Sequence, residues 1–224
     1  PWPYQIEASK PQHQRIVLNI SDTRKAALQA GMNAEPVSIT LGNTSGKLPN
    51  IGIIITPEEA KASLAAIDLL QEIDPQDLLF QYDPMAGHNG SAFADFATLA
   101  AKHSARVSLE IALPCEKSLI EETTAIASDM KAAGFNPDAV IVSPAIDRQS
   151  TPPGSEWPTC PPLEDVYAAA RAAFPNARLG GGMLSYFTEL NRKCVPGELV
   201  DFVTHCTNPI VHAADDLSVM QTLE

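Results

Sequence analysis

Apolar runs and helical patterns alternate along the chain from residue 51 onward. Residues 51–56 form an apolar run typical of parallel strands that are buried on both faces. Thr56-Pro57-Glu58-Glu59 then offers an N-cap residue, a first-turn proline and acidic side chains, which together predict the start of a helix. The apolar face of this helix consists of residues at helical spacing, namely Leu64, Ile67, Leu70 and Ile73.

The same strand-then-helix unit recurs toward the end of the chain. Further strands are predicted at residues 77–82, 106–113, 139–143, 178–183, 200–205 and 209–214. Helices are predicted between them, with an apolar face over 93–100 and spans near 117–133, 163–174 and 216–220. Strands that alternate with helices at this spacing predict a parallel sheet, because each connection must carry the chain back across one face.

The loop sequences decide which class of parallel sheet to expect. No G-x-G-x-x-G follows the first strand and no P-loop sequence occurs, so the phosphate cradle of nucleotide-binding open sheets is missing. We therefore predict an α/β fold of the (β/α)8 TIM-barrel type. About one β/α unit is missing at the C-terminal end, and we expect that strand to be supplied elsewhere or to lie outside this chain.

The first fifty residues have a different pattern. Residues 15–20 and 36–41 are short β-rich runs, and residues 42–46 have the composition of a turn. We predict a β-rich lead-in over residues 1–50, or the remnant of an accessory β domain, followed by a barrel domain over 51–224. The chain begins at Pro1 rather than Met, so we expect it to be part of a longer protein.

Composition and net charge limit the kinds of molecule that this chain is expected to bind. The 224 residues are 45% apolar and 19% charged, which is typical of a compact water-soluble domain. A formal charge of −12 argues against nucleic acid and anionic membranes, and no apolar run approaches the ~20 residues that cross a bilayer. The opening residues lack a signal-peptide pattern, and the four cysteines include no C-x-x-C pair. We therefore expect a reduced, cytoplasmic setting.

Two glutamates are the leading catalytic candidates. Glu110 lies within an apolar strand, where we expect its side chain to point into the barrel. Burial there raises a carboxyl pKa, which suits a general acid or base. Glu189 follows the Gly-rich fifth strand, whose glycines allow a ligand to approach closely. The structural alternatives are a buried ion pair for Glu110 and an ordinary surface position for Glu189.

Two histidines end successive predicted strands and are further catalytic candidates. His205 and His212 titrate near neutral pH, so either ring suits proton transfer, although each could equally be a hydrogen-bonded wall residue. The same positions suit metal ligands, but a catalytic zinc needs three converging ligands and the first strand carries no His-x-His pair. We predict no metal and no cofactor, with a metal-dependent enzyme as the second choice.

Polar residues near the strand ends are candidates for binding a hydroxylated substrate. Asp83 ends the second strand, and His88 stands in a glycine-bounded loop after it. Further candidates follow the last predicted strands, namely Tyr186, Asn191, Arg192 and Asp215. At each position, solvation of an ordinary loop is the structural alternative.

Several stretches carry a resemblance to a known family. They are Pro1-Trp2-Pro3-Tyr4, Gly46-Lys47-Leu48-Pro49-Asn50-Ile51-Gly52, Gly180-Gly181-Gly182-Met183, Tyr186-Phe187-Thr188-Glu189-Leu190-Asn191-Arg192 and Val211-His212-Ala213-Ala214-Asp215-Asp216-Leu217-Ser218-Val219-Met220. Together they resemble the barrel portion of the bacterial D-apionate lactonases. The resemblance implies an enzyme of branched-pentose catabolism that opens D-apionolactone to D-apionate with water, with further β structure outside the barrel.

A weaker likeness is to the retaining glycoside hydrolases of the large barrel clan, which share the Gly-Gly and Asp-Phe-Val-x-x-His patterns of the fifth and sixth strands. Those enzymes carry Asn-Glu at the end of the fourth strand. Here that place reads Val142-Ser143-Pro144-Ala145, so their acid/base residue is missing.

Lactone opening needs an activated water, stabilisation of an oxyanion and a proton for the ring oxygen. The hypothesis is that Glu110 or Glu189 activates water, while His205 or His212 supplies the proton or holds the oxyanion. Hydroxyl binding is assigned to Asp83, His88, Asn191 and Arg192, and the expected partner is a small sugar lactone. The alternatives are a glycosidase that uses Glu110 and Glu189, a non-catalytic sugar-binding barrel and a metal-dependent lactonase.

Overall fold

The predicted alternation of strands and helices is present in the computed structural model, which describes residues 15, 17, 46, 49–208 and 213–222. Six strands form one parallel sheet in sequence order. They are β1 (Gly52–Ile55), β2 (Asp77–Tyr82), β3 (Arg106–Leu113), β4 (Ala139–Pro144), β5 (Arg178–Tyr186) and β6 (Phe202–Cys206). The sheet curls into an incomplete barrel, which confirms the predicted fold class.

Seven helices accompany these strands in the described part of the chain. They are α1 (Pro57–Ala65), α2 (Ile67–Ile73), α3 (Ala92–Lys102), α4 (Leu119–Ala132), α5 (Leu163–Ala173), α6 (Phe187–Lys193) and α7 (Asp216–Thr222). The single helix predicted after β1 is divided into α1 and α2, because the backbone at Ala66 leaves the helical region with φ −106° and ψ 28°. The helix α6 was not predicted, since its polar sequence suggested a loop.

Alternation along the strands separates the two faces of the sheet. In β3, Leu109, Ile111 and Leu113 are buried almost completely in the main core, whereas Glu110 projects to the opposite face. Four phenylalanines pack between the sheet and the helices, namely Phe80, Phe93, Phe96 and Phe135. Each buried ring stabilises the fold by about 1.5–3 kcal/mol, so this layer anchors the strands that carry polar residues on their other face.

The glycines of β5 permit close packing on both faces of this strand. A Cβ on Gly180 would lie 2.5 Å from the Phe202 ring, and a Cβ on Gly181 would lie 2.5 Å from the Tyr167 ring. Gly182 has a φ of +155°, and a Cβ there would lie 1.9 Å from the carbonyl oxygen of Thr204. Only glycine therefore lets β5 approach its neighbours this closely.

Several predictions fall outside the described residues. They are most of the two β-rich runs at 15–20 and 36–41, and most of the strand at 209–214. The division into a lead-in and a barrel domain therefore stays a prediction. Within the part of the chain that the structure describes, each helix is too short or too polar to cross a bilayer.

Candidate functional site

A cavity of about 250 Å³ lies at the carboxyl ends of the strands, where TIM barrels carry their active sites. Its walls come from both ends of the sheet, because Thr56 follows β1 while Leu184 and Cys206 belong to β5 and β6. The curl of the sheet brings these distant strands together. The ionisable lining includes Glu58, Asp83, His88, Glu110 and Arg148.

Glu110 is the carboxylate of the cavity that comes from the middle of a strand. Its neighbour across the β2–β3 ladder is Gln81, whose Nε2 donates a 2.7 Å hydrogen bond to Glu110 Oε1. Burial raises the pKa of Glu110, and this effect outweighs the opposing influences of Gln81 and of the Arg148 charge. A carboxylate with a raised pKa is a stronger proton acceptor, so this environment suits a general base.

Asp83 and Arg148 form an ion pair beside Glu110. Asp83 follows β2 and caps the 3-10 turn Pro84–Ala86, where its Oδ1 accepts a 2.9 Å hydrogen bond from the amide of Met85. Its Oδ2 pairs with the guanidinium of Arg148 from the 3-10 turn Ala145–Arg148 after β4. The Arg148 charge also acts on Glu110. The Arg148 guanidinium therefore interacts with two carboxyl groups, that of Asp83 after β2 and that of Glu110 on β3.

Both ring nitrogens of His88 contact other protein groups. Its Nδ1 accepts a 2.9 Å hydrogen bond from the backbone amide of Asp83, so a neutral ring carries its proton on Nε2. Nε2 lies 3.0 Å from Glu58 Oε1 in the first turn of α1. Hydrogen bonds from its own amide and from Thr56, together with His88, lower the pKa of Glu58. The pair of Glu58 and His88 forms one rim of the cavity.

Glu189 lies outside this cavity lining. It belongs to α6, only 2% of its side chain is exposed, and its carboxylate accepts hydrogen bonds from Ser150, Thr188 and Arg192 at 2.7, 2.7 and 3.1 Å. Burial, the largest single influence, raises the pKa of Glu189, but these donors together lower it below the ordinary value. Both carboxylate oxygens are engaged, so this glutamate is an anchored, ionised group.

The remaining predicted residues, except His212, lie elsewhere in the described part of the chain. His205 lies next to Cys206 on β6 and points to the opposite face, where its ring centroid is 5.4 Å from that of Phe187. Arg192 binds the Thr151 carbonyl and Glu189. Asp215 accepts hydrogen bonds from the amide and hydroxyl of Ser218. Tyr186 and Asn191 are exposed, and His212 lies outside the described residues.

Of the predicted site residues, Glu110, Asp83 and His88 line the cavity, whereas Glu189, Arg192 and His205 do not. Sequence reasoning missed Gln81 and Arg148. The signal for Gln81 was its place in the second strand, two residues before Asp83, which puts both side chains on one face. Arg148 follows a predicted strand end by a few residues, the same criterion that selected Asp83 and His88.

Within residues 49–208 and 213–222, no group of three or more His, Cys, Asp or Glu side chains is arranged to hold a metal ion.

A parallel sheet that curls around a charged cavity at its carboxyl ends defines this chain as a TIM-barrel protein. A family model described as D-apionate lactonase, TIM barrel domain, matches residues 51–224. The chain belongs to this family, which confirms the family resemblance drawn from the sequence. Membership in this family supports a lactonase-type function.

Proposed function

We propose that this domain opens D-apionolactone to D-apionate with water and that Glu110 is the general base. The observation that carries the proposal is the position of Glu110, a half-buried carboxylate with a raised pKa in the cavity at the strand ends. Family membership supports the lactone as the substrate class and branched-pentose catabolism as the setting.

Hydrolysis of the lactone needs a base that activates water, a group that stabilises the oxyanion and a proton donor for the ring oxygen. Glu110 takes a proton from water as the water oxygen bonds to the lactone carbonyl carbon, which leaves a negative charge on the carbonyl oxygen. The Arg148 guanidinium stabilises this oxyanion. When the ring C–O bond breaks, the protonated Glu110 returns its proton to the departing oxygen. The products are a free hydroxyl and a carboxylic acid, which ionises to D-apionate at neutral pH.

Asp83 and His88 complete the proposed site as substrate-binding residues. Both line the cavity, and their positions are fixed by the Met85 amide and by the Asp83 amide respectively. The Asp83 carboxylate retains lone pairs for a substrate hydroxyl, whereas a hydroxyl that binds the His88 ring replaces the exposed Glu58 carboxylate at Nε2.

A glycosidase that uses Glu110 and Glu189 as its pair receives less support. Such a mechanism needs two carboxyl groups that flank one glycosidic bond. The Glu189 oxygens are occupied by Ser150, Thr188 and Arg192, and Glu189 does not line the cavity that contains Glu110.

The test is the substitution Glu110→Gln, with hydrolysis of D-apionolactone measured above its spontaneous rate. We expect kcat to fall about 10²–10⁴-fold, because general base catalysis contributes this much. Glu72→Gln, at an exposed position of α2, is the matched control and is expected to retain wild-type kcat.

Three outcomes would contradict the proposal. Near-normal turnover by Glu110→Gln would remove this residue from the mechanism. Release of sugar from an aryl glycoside without lactone hydrolysis would favour the glycosidase. Binding of the lactone without turnover by the wild-type protein would indicate a sugar-binding barrel. Each assay is run with and without chelator, because a metal-dependent reaction is lost on chelation and restored by added metal.

A further inference from the structure

The segment that carries Arg148 is held by one face of the short helix α6. Lys193 Nζ lies 2.5 and 2.6 Å from the two carboxylate oxygens of Asp147. Glu189 accepts a hydrogen bond from Ser150 at 2.7 Å, and Arg192 donates to the carbonyl oxygen of Thr151. The helix positions 189, 192 and 193 lie at i, i+3 and i+4, so they project from the same side of α6. The anchored segment comprises residues 147–151.

The ion pair of Asp147 and Lys193 is the most enclosed of these contacts. Only 2% of the Asp147 side chain and 13% of the Lys193 side chain are exposed. A buried pair of this kind adds little net stability, because each charge loses its hydration. It does impose one geometry, since a displaced partner would leave an unpaired charge in the interior.

Arg148 depends on its backbone for its position. Its side chain is 46% exposed, and a long side chain with this freedom loses rotamer entropy when it is held in one place. The preceding residue, Asp147, is tied to α6, while the Arg148 guanidinium reaches Asp83 and acts on Glu110 in the cavity. Anchoring the peptide at residue 147 therefore reduces the number of directions that Arg148 can take.

We infer that Asp147 and Lys193 are positioning residues for the reaction, which hold Arg148 in place for its role beside Glu110. This inference rests on the proposed function. Neither Asp147 nor Lys193 lines the cavity, so they act through Arg148 and not on the substrate. Displacement of an oxyanion donor by about 1 Å lowers a rate by as much as about 100-fold, which sets the scale of the effect.

The first experiment is a double-mutant cycle on kcat/KM with Lys193→Met, Arg148→Met and the two combined. We expect Lys193→Met to lower kcat about tenfold or more with little change in KM, because the oxyanion exists only in the transition state. In the Arg148→Met background, Lys193→Met is expected to change kcat less than about twofold. Arg171→Met, which breaks the exposed ion pair with Asp201, is the matched control and retains wild-type kcat.

A second variant separates positioning from simple stability. The combination Asp147→Asn with Lys193→Met removes both charges, so no unpaired charge remains in the interior and the urea midpoint returns toward the wild-type value. We expect kcat to stay low in this variant, because neutral side chains do not hold residue 147 as the ion pair does. Recovery of stability together with full kcat would overturn the inference.

The readout that does not depend on activity is a ¹³C NMR titration of the Glu110 carboxyl group, identified by comparison with Glu110→Gln. Loss of the nearby Arg148 charge raises the pKa of Glu110, so Arg148→Met and Lys193→Met are expected to shift its titration upward, and Arg171→Met is not. The other titratable groups that line the cavity, namely Glu58, Tyr82, Asp83, His88 and Cys206, are present in every variant.

The outcomes distinguish the two proposals. If the protein does not hydrolyse the lactone but both variants shift the Glu110 titration, the proposed function fails while the positioning of Arg148 stands. If Lys193→Met leaves both kcat and the titration unchanged in a folded protein, or if its effect multiplies with that of Arg148→Met, the positioning inference is overturned.

Discussion

The pKa values of two glutamates, Glu110 and Glu189, are shifted in opposite directions. Glu110 accepts a hydrogen bond from one amide, that of Gln81, at a half-buried strand position, and its pKa is raised mainly by its partial removal from water. Glu189 is buried, but three donors surround it and its pKa is lowered. The number of donors, and not burial alone, decides which glutamate is poised to accept a proton.

The opposite pKa shifts predict that substitution of Glu110 and of Glu189 changes the stability of the folded protein in opposite directions. Because the pKa of Glu110 is raised on folding, the folded protein binds more protons between the unfolded and folded pKa values, and its stability falls as pH rises through that window. At neutral pH, Glu110→Gln is therefore expected to raise the urea midpoint. The gain shrinks as pH is lowered toward the ordinary pKa of glutamate.

Glu189→Gln provides the matched comparison with the reverse sign. Its pKa is lowered on folding, so its contribution is present above the unfolded pKa and is lost as pH falls through the folded pKa. We expect Glu189→Gln to cost about 1.5–3 kcal/mol at neutral pH, as for other hydrogen bonds to charged groups. Equal midpoints for the two variants would show that their environments do not differ as described.

At the scale of elements, β5 and α6 are consecutive and have different structural roles. The glycines of β5 let Phe202, Tyr167 and the backbone of β6 approach closely. Immediately after this strand, α6 presents the side chains that anchor residues 147–151. Close packing of β5 therefore holds in place the strand from which α6 continues directly, and α6 in turn holds the loop after β4.

Substitution of Gly182 tests this packing. Gly182→Ala is expected to destabilise the fold by about 2–5 kcal/mol, because its φ of +155° strains an L-residue and the new Cβ would meet the Thr204 carbonyl oxygen. Gly197→Ala is the control, since a Cβ at Gly197 meets no atom within 4 Å, and we expect a change within about 0.5 kcal/mol. Both are measured by chemical denaturation, and equal losses would contradict the packing argument.

At the scale of the molecule, the curl of the sheet creates both the cavity and an unequal burial of its faces. Residues after β1 and within β6 line one cavity, although these strands lie at opposite ends of the strand order. The helix-covered face contains the main hydrophobic core. On the inner face of β1, Ile54 is 56% exposed, whereas its neighbour Ile55 on the other face is 1% exposed.

Two adjacent isoleucines therefore respond differently to truncation. Ile55→Ala is expected to cost about 2–5 kcal/mol, because it leaves a cavity in the core. Ile54→Ala is expected to cost less than about 1 kcal/mol, since most of its side chain already contacts solvent. Urea denaturation of both variants checks this difference, and a larger loss at Ile54 would indicate that the inner face of β1 is covered.

The strands were predictable because each of β1 to β4 carries apolar residues at every second position or more, which is the pattern of strands that pack against a helix-covered core. The starts and ends of helices were harder to predict, as the division at Ala66 shows, because small changes in backbone angles have little effect on the local composition. The helix α6 was missed because its residues Thr188, Asn191 and Arg192 are polar and its stability comes from contacts with residues 147–151.

The candidate site was predictable in part for a similar reason. Glu110 and Asp83 lie in or directly after strands, and His88 lies in the loop that follows β2, so their positions in the sequence predict that they line a cavity at the carboxyl ends of the strands. Glu189 and Arg192 belong to α6, whose orientation depends on packing, and the pattern of polar residues could not reveal that they turn toward the loop after β4. For His205, alternation along β6 decided the face, and the exact phase of that strand was set by its pairing with β5.

The sequence by itself determined the parallel α/β architecture, the family resemblance and the strand that carries Glu110, because each depends on local periodicity or on short motifs. Tertiary structure decided which charges meet. The pairing of Arg148 with Asp83, the hydrogen bond from Ser150 to Glu189 and the attachment of Asp147 to Lys193 join segments that are far apart in the chain. Such contacts arise only when a curled sheet brings the loops after different strands together.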